Sequence, residues 1–183
     1  LAWPFLINLY WNSFSWSTQS NYWRWAFIFW WALLAVDGWV IFLPGVLDTV
    51  KFTNVLVAHS HLAMGGMVSA LNLIILIEMG ASKRIKGFLS QNLPFLLWNG
   101  GCLLYVVTMT LQGWREGQNP QALFSYDTVT AISYHIRLAA GLLMLSANAL
   151  WLGQWLKAFS FQKSVKYDSL LSSTESESLA KHA

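Results

Sequence analysis

The chain has 183 residues, 56% hydrophobic and 10% charged, with twelve tryptophans and a formal net charge of +3; this is the composition of a membrane protein. The basic excess marks no nucleic-acid site, because most lysines and arginines sit between or after apolar runs instead of along a polar face. The one cysteine, Cys102, excludes an internal disulfide and lies in an apolar run, where it reads as a small buried side chain.

Residues 1–21 are rich in Trp, Phe and Asn, and are expected to form an interfacial segment or the end of a preceding helix. The region 22–158 holds four stretches, near 22–44, 53–79, 92–113 and 129–156. Each is long enough as a helix to cross a hydrocarbon core of about 30 Å. Pro44-Gly45 is expected to end the first, Gly80 the second, and Gly113 the third, ahead of a polar loop holding Asn119-Pro120. From 159 to 183 Ser, Glu and Lys dominate, predicting a polar, disordered cytoplasmic tail. The expected fold class is therefore all-α, a polytopic transmembrane bundle of about four spanning helices. No fixed-period repeat or alternating-strand pattern favours a solenoid or barrel. Leu1 follows no charged segment with a small-residue cleavage site, so the chain is expected to be a piece of a longer polypeptide.

Placing the start of the first helix in the cytoplasm puts Arg24, Lys83, Arg84, Lys86, Lys157, Lys163 and Lys166 on that side, leaving chiefly Lys51 and Arg115 outside. The positive-inside rule selects this orientation, with a cytoplasmic C-terminus. His59 then lies about 9 Å below the outer end of the second helix.

His59 and His61 stand in the run Val-Ala-His59-Ser-His61-Leu-Ala-Met-Gly-Gly. On a helix, positions i and i+2 are about 200° apart, so the rings leave opposite sides and do not share one metal. Zinc-binding pairs sit at i and i+4. This spacing suits two separate iron centres flanking the helix, and imidazole is the usual axial donor to haem iron. The plain alternative is a hydrogen bond to a neighbouring helix or exposure to a wet cavity. Ala63, Gly65, Gly66, Ser69 and Ala70 follow, small residues that admit a flat macrocycle or a neighbouring helix.

The run Val57-Ala58-His59-Ser60-His61-Leu62-Ala63-Met64-Gly65-Gly66 resembles the tenth transmembrane helix of the haem-copper oxidase catalytic subunit. Lys51-Phe52-Thr53-Asn54 resembles the approach to that helix in the cbb-type and nitric-oxide-reductase branches. Leu111-Gln112-Gly113-Trp114-Arg115 and Tyr134-His135-Ile136-Arg137-Leu138 with Gly141 resemble the end of the eleventh helix and the start of the twelfth in the cbb-type branch. The likeness covers about residues 22–157 and implies the last four of twelve core helices. It implies two haems, with His59 on the high-spin, catalytic iron and His61 on the low-spin iron. It implies copper in the complete subunit, held by three histidines on earlier helices outside this chain; no histidine precedes His59 here. The implied function is a terminal respiratory oxidase of the bacterial inner membrane. Electrons would come from cytochrome c or quinol, oxygen would be the substrate, and the bilayer and other oxidase subunits the partners. Nitric oxide reduction is the enzymatic alternative. A non-catalytic haem-binding or degenerate paralogue is another, and a transporter or structural bundle with incidental histidines a third.

Arg137 and Arg115 fall on the outer side, where they are candidates to neutralise haem propionates. The competing readings are snorkelling for Arg137 and an ordinary loop charge for Arg115. His135 reads as an interfacial polar residue. Asp37, deep in the first span, reads as a proton-path group or a hydrogen-bond partner of a neighbouring helix. Glu78 lies near Lys83 and Arg84, suggesting interface electrostatics. Trp23, Trp25, Trp30, Trp31 and Trp39 spread over too much of one helix to be only an interface belt, so some are expected to face lipid.

Overall fold

The computed structural model describes the backbone of residues 2–79 and 82–181, and the side chains of these residues up to 157. Helix α1 covers Ala2–Ser13, and a 3₁₀ turn at Thr18–Ser20 leads into α2, Asn21–Ile41. The chain turns through Gly45, whose φ of 81° lies in the left-handed region that glycine adopts without a Cβ penalty. The short α3, Val46–Val50, follows. Helix α4, Asn54–His61, continues through a π-helical stretch, Leu62–Val68, into α5, Ser69–Glu78. After α6, Lys83–Leu89, come α7, Asn92–Gln118, a 3₁₀ turn at Pro120–Leu123, and α8, Thr128–Lys181. No strand occurs among the described residues.

Among the described residues, four segments are long and apolar enough to cross a membrane: Thr18–Ile41, Asn54–Glu78, Asn92–Gln118 and Thr128–Lys157. The chain is an all-α transmembrane bundle. Short connections make consecutive spans antiparallel neighbours. The α4–α5 span packs on α2 and α7, and α7 packs in turn on α8. Gly80 lies outside the described residues, and the backbone of 159–181, expected as a disordered tail, continues α8 as helix.

The third span does not end at Gly113. It runs on to Gln118, and Gly113 serves a different purpose: a Cβ there would lie 2.2 Å from the backbone nitrogen of Val55. Glycine at this position lets α7 meet the start of α4 backbone to backbone. The same signal, a glycine near a helix end, marks C-caps and close helix crossings alike.

Lipid tails are as apolar as leucine, so the helices associate through close packing and not through exclusion of water. Trp23, Ala26 and Trp30 form one buried stripe on α2, at i, i+3 and i+7. Ala58, Ala70, Ala140 and Ala147 are buried on the other spans. Both buried indoles of α2 place their N–H: Trp23 donates to the Leu89 carbonyl at 2.9 Å and Trp30 to Asn99 Oδ1 at 2.7 Å. Trp25 and Trp39 are exposed, so the tryptophan series divides between core and periphery as expected. Only 17–33% of the most apolar window of each span is buried within the chain. The rest is surface suited to lipid or to further helices.

Candidate functional site

Thr53 starts α4 with an N-cap: its hydroxyl accepts from Val55 N at 3.2 Å. A second cap reaches across from α7. Glu116, 3% exposed, accepts from Asn54 N at 2.9 Å through Oε2, and from Asn54 Nδ2 at 2.7 Å and Gln112 Nε2 at 2.8 Å through Oε1. Gln112 Oε1 in turn accepts from Ser133 Oγ at 2.5 Å and from Arg137 Nη2 at 2.8 Å. Arg137 Nη1 donates to Asn54 Oδ1 at 3.4 Å, and its guanidinium lies 4.3 Å from the Tyr134 ring centroid. A buried polar network thus fastens α4, α7 and α8 one and two turns before the histidines.

The two rings leave α4 on different sides. His59 turns toward α2, where Nδ1 lies 2.8 Å from Asp37 Oδ2. A Cβ on Gly38 would come within 3.3 Å of its Cε1, so the absence of a side chain there gives the ring room. His61 turns toward α7, 5.0 Å from the Tyr105 ring centroid, with Nδ1 2.8 Å from the Val57 carbonyl. A carbonyl oxygen only accepts, so His61 Nδ1 carries the proton that it donates to Val57, and His59 Nδ1 lies within hydrogen-bond reach of Asp37. Neither Nε2 has a hydrogen-bond partner among the described residues. Metal-bound histidines show this pattern, in which the outer nitrogen donates to a carbonyl or carboxylate and fixes the tautomer. The exposed Val57 and Met64 flank His61 one turn to either side, giving an apolar surface around its outward nitrogen. The two imidazoles therefore offer separate donors on opposite sides of α4 and do not share one site. Among the described residues no group of three or more metal-ligating side chains forms a single-metal cluster.

The π-helical stretch begins at the residue after His61. π turns are rare and concentrate at functional sites. Here Gly66 sits under the Trp30 indole, where a Cβ would lie 2.5 Å from Cδ2, and the Gly65 carbonyl accepts from Trp98 Nε1 at 3.0 Å. Ser69 Oγ donates to Met64 O at 2.9 Å. The widened turn is thus held by an indole packed on one side and an indole hydrogen bond on the other.

The remaining sequence-selected residues separate. Arg137 is 9% exposed, its Nε has no partner, and no carboxylate pairs with it among the described residues. It is a core cation, not a snorkelling one. Arg115 instead grips Asp127, with Nη1 3.1 Å from Oδ1 and Nη2 against Oδ2. His135 is exposed, with Nδ1 2.7 Å from the Ala131 carbonyl one turn back. Glu78 accepts from Ser17 N and Ser17 Oγ, both at 3.1 Å, tying the end of α5 to the entry of α2. Sequence reasoning missed Glu116, Gln112 and Asn54. The signal was present in the likeness of the Leu111–Arg115 and Lys51–Asn54 segments, which the network brings together.

Arg115, followed by the backbone N–H of Thr130 at 2.9 Å, holds the Asp127 carboxyl well below the usual carboxylate range. A lowered native pKa contributes stability that is complete above the ordinary value of about 4 and is lost as the pH falls below it. Asp127→Asn is therefore expected to be less stable than wild type at pH 7 and to show a shallower loss between pH 4 and 2. Thermal unfolding of the detergent-solubilised protein at both ends of that range checks this; parallel profiles would show that the pair does not fasten α7 to α8.

No family model, curated protein or solved structure matches this chain.

Proposed function

We propose that this chain is the C-terminal portion of a haem-copper oxidase catalytic subunit, with His59 binding the high-spin haem and His61 the low-spin haem. The observation that supports the reading best is the pair of imidazoles on opposite sides of one helix, each with Nδ1 anchored and Nε2 free. When bound, the haems supply electron transfer and the reduction of oxygen to water; the protein contributes ligation, orientation and electrostatics. The Val57 carbonyl orients the His61 ring. Asp37 orients His59 and draws on its Nδ1 proton, making the ring a stronger donor and favouring the oxidised state of the metal it holds. The outer network keeps α4 seated, and Arg137, a core cation without a carboxylate partner, is the group assigned to a haem propionate. Arg115, committed to Asp127, is assigned to fastening the loop. Copper ligands lie outside this chain in this reading, and cytochrome c or quinol delivers the electrons.

The test is a pair of variants in the product of the complete gene, purified from bacterial inner membranes. His61→Ala is expected to remove the sharp reduced low-spin band, while His59→Ala removes the carbon-monoxide-sensitive component. Asp37→Asn should keep both haems and raise the potential of the second. Normal spectra in both histidine variants would overturn the assignment.

A further inference from the structure

We propose that the cavity between α1, α2 and α5 holds the acyl chain of an anionic lipid whose charged group is bound by Arg24. The inference is independent of the histidine assignment, since the cavity lies elsewhere in the bundle. Its volume is about 310 Å³, within the lower range of ligand pockets. Its walls include Trp3, Tyr10, Trp11, Phe27 and Ile74, and Arg24 is the one charged residue lining it. Apolar walls of this kind do not hold water stably and accept a hydrocarbon segment.

Arg24 itself points to the head group. Its guanidinium lies 4.7 Å from the Trp11 ring centroid and 5.5 Å from that of Trp16, and Nη2 donates to Asn21 Oδ1 at 3.3 Å. Nε is buried without any partner, and no carboxylate pairs with Arg24 among the described residues. The unsatisfied Nε is the donor that an incoming anion would occupy. The ring contacts hold the guanidinium in place for it.

The location agrees with this occupant. The cavity lies between the start of α2 and the first half of α5, in the half of the bundle whose end carries Lys83, Arg84 and Lys86. Such a basic end attracts anionic headgroups. Helix α1 buries no residue of its own, so an acyl chain between α1 and α5 would complete its packing.

Native mass spectrometry of the detergent-solubilised protein tests the proposal, with phosphatidylglycerol, phosphatidylcholine and oleate as probes. Wild type is expected to retain phosphatidylglycerol over phosphatidylcholine by about fivefold. Arg24→Gln should abolish that preference and Arg24→Lys should keep most of it. Leu71 also lines the cavity, and Leu71→Trp, which fills it, should reduce retention of both phospholipids. Oleate displacing phosphatidylglycerol would identify a free fatty acid as the source of the same acyl-anion chemistry. Equal retention of the two phospholipids by wild type, or undiminished lipid on Leu71→Trp, would overturn the proposal.

Discussion

Glu116→Ala is expected to cost about 3–5 kcal/mol of stability, because it leaves three hydrogen-bond donors without their acceptor. The carboxylate accepts three hydrogen bonds while 3% exposed, so its loss strands Asn54 N, Asn54 Nδ2 and Gln112 Nε2 together. Each stranded buried donor costs about 1–3 kcal/mol. Glu116→Gln keeps the volume but turns an amide NH₂ toward the same donors, so it should fall between wild type and alanine. The unfolding midpoint in a denaturing-detergent titration measures the series. A loss under about 1 kcal/mol for the alanine variant would show that the network does not hold α4 in place.

Gly113→Ala is expected to cost about 1–3 kcal/mol or more through overpacking, although alanine is the better helix former. The added methyl would meet Val55 N at 2.2 Å, and backbone cannot swing aside as the end of a flexible side chain can. The start of α4 must move away from α7, carrying both histidines with it. Gly100→Ala is the control, because a Cβ there meets nothing within 4 Å, and it should be neutral or stabilising by up to about 1 kcal/mol. Equal unfolding midpoints for the two variants would contradict the close crossing.

The spans were legible because length and apolarity leave few choices for some twenty residues in lipid. The opposite orientation of His59 and His61 was legible as well, since it follows from helical rotation alone. Their partners were not. Asp37 was visible as a carboxylate inside the first span, but pairing it with His59 requires the relative rotation of α2 and α4, which packing of Trp30 on Gly66 helps to fix. Glu116 stands in Arg115-Glu116-Gly117, which reads as a loop once Gly113 is taken as a terminator; the error at the glycine concealed the carboxylate. The π stretch left only Gly65-Gly66 as a sequence trace, and small residues also suit ordinary helix packing. Arg115 and Arg137 look equivalent in sequence. They part only because Asp127 caps α8 beside Arg115, whereas Gln112 and Asn54 receive Arg137 as neutral acceptors.

The most direct measurement is a dithionite-reduced visible spectrum of the complete protein, taken with and without carbon monoxide and scaled to protein concentration. Two haems per protein, with a sharp low-spin band and a separate carbon-monoxide-sensitive component, are the predicted result. A folded, membrane-inserted protein with no haem absorbance would contradict the account and leave a bundle whose histidines serve only their hydrogen bonds.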